Sequence, residues 1–175
     1  ITNSSTAEMC KLTENAFRDV NIAFANELSI ICEKLKINVW ELIRLANLHP
    51  RVDILKPGPG VGGHCIAVDP WFIVNSAPSE SNLIRKAREI NDAKPKYVIN
   101  QVIELSNSID DPRIAFFGMT FKPNVDDFRE SPSLEIIKSV SSKLKDISIQ
   151  IVEPYTDNLD MLGGSKNTEL VELND

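Results

Sequence analysis

Between Ala7 and Lys36 the chain contains neither glycine nor proline, and this uninterrupted run constrains the fold more than any other feature. Leu12, Ala16, Val20, Ala23, Phe24, Leu28, Ile31 and Leu35 recur within it at steps of three and four, the period of one face of an amphipathic helix. A helix over 7–36 is about 45 Å long at 1.5 Å per residue. One apolar stripe of that length exceeds what a small helical domain covers internally, so a homodimer through helix 7–36 is expected. Asn38 is placed to cap a second, shorter helix over Val39 to Ala46. Asp69-Pro70 opens another, and a long helical segment runs from Ser81 to about Ser106, bent at Pro95.

The pattern changes at Asp110-Asp111-Pro112. Arg113-Ile114-Ala115-Phe116-Phe117 is a short apolar run ending in Gly118, as a buried strand would be. Ser131-Pro132 has the N-cap and first-turn residues of a helix reaching about Leu144, and Ser148-Ile149-Gln150-Ile151-Val152 reads as a second strand. This is a β-α-β unit with parallel strands. The expected architecture is therefore α-helical over residues 1–109, followed by a partial α/β Rossmann-like domain over 110–175. Two strands and one helix cannot cover both faces of a doubly wound sheet, so further strands are expected beyond Asp175.

Composition narrows the function classes. With 42% apolar and 25% charged residues the chain is of ordinary globular type, and its formal net charge of -6 carries no general attraction for polyphosphate. No basic cluster or aromatic stacking run is present, so no nucleic-acid role is expected. No apolar run approaches the roughly 18 to 20 residues of a membrane span and the first residues are not a signal peptide; no membrane role and a cytoplasmic location are the expectation. Three cysteines, Cys10, Cys32 and Cys65, favour reduced thiols. The two histidines, His49 and His64, do not fall with the cysteines in a zinc-binding spacing, and no metal is expected.

The segment Pro57-Gly58-Pro59-Gly60-Val61-Gly62-Gly63-His64-Cys65, followed by Asp69, is the first place where chemistry concentrates. Glycines allow close backbone approach to a ligand while the prolines limit the loop's wandering. Cys65 is either a presented thiolate, activated by a helix start or a neighbouring cation, or a packed thiol; Cys10 and Cys32, inside the periodic helix, read as packing residues. Asp69 is a candidate acid-base group or simply a helix cap. His64 either tunes the thiol or bonds within the loop. Lys11 and Asn15, four apart on the first helix, share a face and could together stabilise an oxyanion; a solvated polar stripe has the same spacing. Arg51 lies in a loop shortly before the cysteine.

The second unusual loop, Gly118 to Pro132, leaves the carboxyl end of a strand, where α/β sheets bind ligands. Lys122 and Arg129 are its candidate phosphate partners, or two solvated charges. Glu153 ends the second strand where a ribose-binding acid would stand, but Gly118-Met119-Thr120-Phe121 is not a G-x-G-x-x-G turn.

Three motifs in order, Lys11-x-x-x-Asn15, Gly62-Gly63-His64-Cys65 with Asp69, and Gly118-x-x-Phe121-Lys122 leading to Asp126-Asp127-x-Arg129-x-Ser131-Pro132, resemble the UDP-glucose and GDP-mannose dehydrogenase family, most closely its UDP-N-acetyl-D-mannosamine branch. His64 and Val68 stand where the UDP-glucose enzymes have Ser and a basic residue, which fits that branch. The resemblance implies a central dimerisation domain and the first part of a UDP-binding domain, with an N-terminal NAD-binding Rossmann domain absent from this chain. It further implies oxidation of a sugar C6 alcohol to a carboxylate in two hydride transfers to NAD, with Cys65 as nucleophile through a thiohemiacetal and thioester. Lys11 and Asn15 would then stabilise developing charge and Asp69 activate water. Lys56, Pro57, Gly58, Pro59, Gly60, Val61 and Gly62 would line the UDP-sugar, Phe121 and Lys122 would contact it, Arg129 would face NAD, and Arg51 would reach a neighbouring subunit's substrate. The alternatives are a UDP-glucose or UDP-N-acetylglucosamine 6-dehydrogenase, and a non-catalytic dimerisation and nucleotide-binding module.

Overall fold

The computed structural model describes residues 2–172. They form two compact units divided between Lys94 and Pro95.

The first unit is helical. Helix α1 spans Ser4–Leu35, starting three residues before the expected position because Asn3 caps it, its side-chain oxygen accepting the Thr6 N–H at 2.8 Å. It stops where Lys36 turns left-handed (φ 57°), with the Ile37 N–H closing on the Cys32 carbonyl at 2.8 Å. Asn38 then caps α2, Val39–Ala46, through bonds from the Trp40 and Glu41 amides. Helix α3 is Asp69–Ser76, with Pro70 in its first turn, and α1 packs against both α2 and α3. Helix α4, Asn82–Asn107, continues through Pro95.

The buried side of α1 carries Ala16 and Ala23 of the apolar periodicity but not its large side chains. Asn15, Ala16, Asp19, Ala23 and Asn26, at steps of one to four, face the interior. Phe17, Phe24, Ile31 and Leu35 are exposed, at 68%, 52%, 45% and 61%. Small side chains let the neighbouring helices approach closely, and the polar ones pair with each other. Cys32 is buried as expected, but Cys10 is exposed near the start of the helix rather than packed.

The second unit is α/β. Strands β1 (Ile114–Phe117), β2 (Ile149–Val152) and β3 (Thr168–Leu170) form a parallel sheet in the order β1-β2-β3. Helix α5, Pro132–Lys143, connects β1 to β2 after its Ser131 cap, and a 3-10 turn at Asp160–Leu162 lies between β2 and β3. β3 is a correction to the expectation of two strands. Ile136, Ile137 and Val140 of α5 meet Ile149 and Ile151 of β2, Met119 and Leu162 in one core. Complete burial of each such side chain contributes about 1.5–3 kcal/mol.

Ile99 of α4 belongs to this same core, with Val98, Val102 and Ile103 packed on it. The compact units divide at 94/95, within α4, because the α/β core takes in residues of that helix beyond Pro95, whereas the α/β sequence pattern itself starts near residue 110.

Candidate active site

The glycine-rich segment is anchored before it begins. Asn47, which closes α2, holds both backbone groups of Ile54: its Nδ2 donates to the Ile54 carbonyl at 3.0 Å and its Oδ1 accepts the Ile54 N–H at 2.8 Å. Gly58 is then tied to α1, its N–H donating to Asn26 Oδ1 at 2.8 Å. Gly63 takes φ 80° and is buried, a backbone position that side-chain-bearing residues rarely adopt. Cys65 follows, exposed, with His64 exposed beside it.

The Cys65 carbonyl accepts the Val68 N–H at 3.1 Å and the Asp69 N–H at 2.8 Å. The chain therefore turns helically directly after the thiol, and one helical turn separates Cys65 from Asp69. Asp69 does not cap α3; the residue in the cap position is Val68, which has no side-chain cap bond. The Asp69 carboxylate instead accepts a 2.6 Å hydrogen bond from Asn15 Nδ2, which reaches it from α1, 54 residues earlier. Asn15 is buried and Asp69 half-buried. A fixed amide donor of this kind orients the carboxylate.

The other sequence candidates of the first unit are less engaged. Lys11 projects into solvent, with its ammonium 3.8 Å from Glu14 of the same helix, an exposed pair worth little. Arg51 is exposed, its backbone N–H held by His49 Nδ1 at 3.2 Å. Lys56 and Pro59 are exposed, whereas Pro57, Gly58, Gly60, Val61 and Gly62 are half-buried.

In the second unit, the loop after β1 is gathered around Met119. Gly118 has φ 91° and bonds back to the Val152 carbonyl at 2.9 Å. The Met119 N–H donates to Glu153 Oε2 at 2.6 Å, and its carbonyl accepts from Ser131 Oγ at 2.6 Å. Glu153 also accepts the Tyr155 N–H, so its buried carboxylate is taken up by backbone donors. Phe121 is half-buried and pairs its N–H with the Asp127 carbonyl at 3.2 Å, while Lys122 is exposed. The Arg129 guanidinium is exposed and forked onto Asp127, Nε to Oδ1 at 2.9 Å and Nη2 to Oδ2 at 2.7 Å. Those bonds, and the Asp127 charge, raise its pKa further above its usual value.

Four fully buried polar side chains escaped the sequence reading: Asp19 and Asn26 of α1, Arg88 and Asn91 of α4. The signal that would have found Asp19 and Asn26 is their spacing, since with Asn15 they fall on the same helical face as Ala16 and Ala23. No group of three or more His, Cys, Asp or Glu side chains suited to a metal ion occurs among the described residues. No helix among them is long and apolar enough to cross a membrane.

Residues 5–93 match the UDP-glucose/GDP-mannose dehydrogenase family, central domain, and residues 115–174 match the same family's UDP binding domain. The chain belongs to this family. The family's two matched segments fall on either side of Lys94–Pro95, in line with the two compact units. Among curated relatives, the NDP-N-acetyl-D-galactosaminuronic acid dehydrogenase of Ralstonia solanacearum is 61% identical over 89% of this chain and 36% of its own length. The UDP-N-acetyl-D-mannosamine dehydrogenase of Campylobacter jejuni is 56% identical over 99% of this chain and 42% of its own length. The structure of the UDP-D-ManNAc dehydrogenase from Pyrococcus horikoshii superposes with a TM-score of 0.80 at 38% identity, covering 97% of this chain and 43% of that one. The chain thus spans about two fifths of the length of these family members.

Proposed function

We propose that this chain is part of an NAD-dependent UDP-N-acetyl-D-mannosamine 6-dehydrogenase, in which Cys65 is the nucleophile that carries the sugar's C6 carbon to the carboxylate. The observation that carries the reading is the geometry around Asp69: an exposed thiol one helical turn away, and an Asn15 amide that fixes the carboxylate at 2.6 Å. The Cys65 thiolate adds to the C6 aldehyde carbon, its carbon–sulfur bond persists through oxidation to a thioester, and water attacking that thioester releases carboxylate and thiolate. Asp69 takes the proton of that water, and Asn15 keeps the carboxylate turned toward it. Lys11, exposed and held only by its weak pair with Glu14, is the cation proposed to neutralise the oxyanion.

NAD supplies the hydride acceptor when bound. The described residues do not form a dinucleotide site by themselves: the turn after β1 is not glycine-patterned for a pyrophosphate, and the Arg129 fork is already occupied by Asp127. Arg129 is therefore proposed only as an outer contact. The segment Lys56 to Gly62 is proposed to line the sugar nucleotide, Phe121 and Lys122 to contact the nucleotide, and Arg51 to act toward a neighbouring subunit. Both curated relatives named above carry N-acetylated amino sugars in their names, which favours an acetamido sugar over UDP-glucose.

NADH formation by the protein carrying this chain tests the proposal, with UDP-N-acetylmannosamine, UDP-N-acetylgalactosamine, UDP-N-acetylglucosamine and UDP-glucose offered in turn. The expected result is about two NADH per UDP-N-acetylmannosamine, because alcohol to carboxylate is two hydride equivalents, and loss of complete oxidation in Cys65→Ala. Preference for another sugar would move the branch. Oxidation of none of them, with UDP-sugar still bound in calorimetry, would leave a nucleotide-binding and dimerisation module.

A further inference from the structure

Both ends of the thiol loop are fastened to one buried polar chain that no step of the proposed reaction uses. At the entry, the Gly58 N–H donates to Asn26 Oδ1 at 2.8 Å. Asn26 Nδ2 donates to Asn91 Oδ1 at 2.9 Å, and Asn91 Nδ2 donates to Asp19, at 2.8 Å to Oδ1 and 3.0 Å to the backbone carbonyl. Asp19 Oδ1 accepts from Arg88 Nη1 at 2.5 Å. At the exit, the same Nη1 lies 3.4 Å from the carbonyl of Ile66, the residue after Cys65, while Nη2 donates to Asp92 at 2.5 Å. Asp19, Asn26, Arg88 and Asn91 are all completely buried.

Stability does not require such a chain. A buried ion pair roughly breaks even against apolar side chains of the same volume, which would join α1 to α4 equally well. What apolar side chains cannot do is accept a loop amide at one end and donate to a loop carbonyl at the other. The flanking glycines make that control necessary, since their backbone has the widest choice of conformations.

We propose that Asn26, Asn91, Asp19 and Arg88 form a clamp that positions the thiol loop, gripping it at the Gly58 amide and the Ile66 carbonyl and so setting the direction in which Cys65 points. Asn26 is the stronger grip, given its 2.8 Å bond, and Arg88 the weaker. These are positioning residues. Their importance to catalysis rests on Cys65 being the nucleophile; the clamp itself does not.

Fluorine NMR of Cys65 alkylated with bromotrifluoroacetone tests this, in a Cys10→Ser background so that the exposed Cys10 is not labelled. The clamp predicts one line in that background. In Asn26→Ser, whose shorter side chain does not span the gap to Gly58, it predicts a line split, or moved toward the position of the free label, and Gly58 amide exchange at least tenfold faster. Arg88→Lys keeps the charge beside Asp19 but lacks the fork toward Ile66, and should shift the line by less. An unchanged line and unchanged Gly58 exchange in folded variants would overturn the clamp, and so would loss of the whole fold in both variants, which would make the cluster a structural core. Activity of Cys65→Ala separates the two readings. Full oxidation there removes the nucleophile and leaves the clamp standing, whereas lost oxidation with an unmoved fluorine line removes only the clamp.

Discussion

Asp19 shows what a completely buried carboxylate costs in this protein. Its pKa is raised from 3.8 to about 6, first by burial, against the opposing pull of the Arg88 charge and the Asn91 hydrogen bond. One of its oxygens, Oδ2, accepts no hydrogen bond among the described residues, so the ionised form is under-solvated there. The folded state therefore binds the proton more tightly than the unfolded chain does. By linkage, this group's contribution to stability falls as pH rises from about 4 through 6, and is level above that. Between about pH 5 and pH 7.5 the native protein should lose on the order of 1 kcal/mol relative to Asp19→Asn. Urea midpoints of the two proteins at both pH values measure this, since other titrating groups cancel in the difference; a gap constant with pH would show that Asp19 is already ionised at pH 5. The same residue shows where sequence reading stopped. Cys65 stood out as a candidate because glycines and prolines crowd around it, and its exposure agrees with a presented thiol. Asn15 was legible as a candidate, but not its bond to Asp69, because 54 residues separate them and only the packing of α1 on α3 closes the gap. Asp19 and Asn26 were passed over because a polar residue on a helix ordinarily marks the solvated face, although they share the face of Ala16 and Ala23; Arg88 and Asn91 were not legible.

Elements bounded by strong local chemistry were readable to within a few residues, and those without it were not. Asn38 and Ser131 cap α2 and α5 where the sequence placed those helices, and the two apolar runs became β1 and β2 in parallel register. β3 was missed because Thr168-Glu169-Leu170 is three residues long with a charged centre, and becomes a strand only by pairing along the already formed β2. Between β1 and α5, the loop's first turn depends on Gly118. At φ 91° an added Cβ would meet nothing within 4 Å, so the cost of a side chain there is backbone strain alone. Gly118→Ala should therefore destabilise the second unit by about 1–3 kcal/mol, and Gly118→Asn by less, because Asn tolerates positive φ better. Unfolding followed by near-ultraviolet signals of Tyr155 checks the order of the two variants. Equal losses would mean that the side chain meets an obstacle.

At the scale of the molecule, α1 leaves a question that the chain alone cannot answer by folding. Phe17, Phe24, Ile31 and Leu35 are exposed on the side opposite Asn15, Asp19 and Asn26, with the half-buried Val20 and Leu28 between them. Steps of three and four from Phe17 to Leu35 are the spacing that packs one helix along another. The large apolar side chains of the periodicity are not buried within the first unit, whose interior is filled by the small and polar face instead. A second copy of the chain is the occupant we propose, because the stripe is long enough for two α1 helices to share it about a two-fold axis, each supplying the same residues to the other. Phe24 lies near the middle. Phe24→Glu would set two carboxylates against each other or against apolar side chains at the centre of such an interface, where substitutions cost about 2 kcal/mol or more, and each 1.4 kcal/mol is tenfold in affinity. Sedimentation velocity across a concentration series should show a dimer for the native chain and, for Phe24→Glu, dissociation at concentrations at least tenfold higher. Far-ultraviolet ellipticity should be unchanged, since Phe24 is half exposed within its own protomer and contributes little to its fold. A native chain that sediments as a monomer at every concentration would remove the dimer, and a Phe24→Glu variant that dimerises as tightly as the native chain would move the interface off α1.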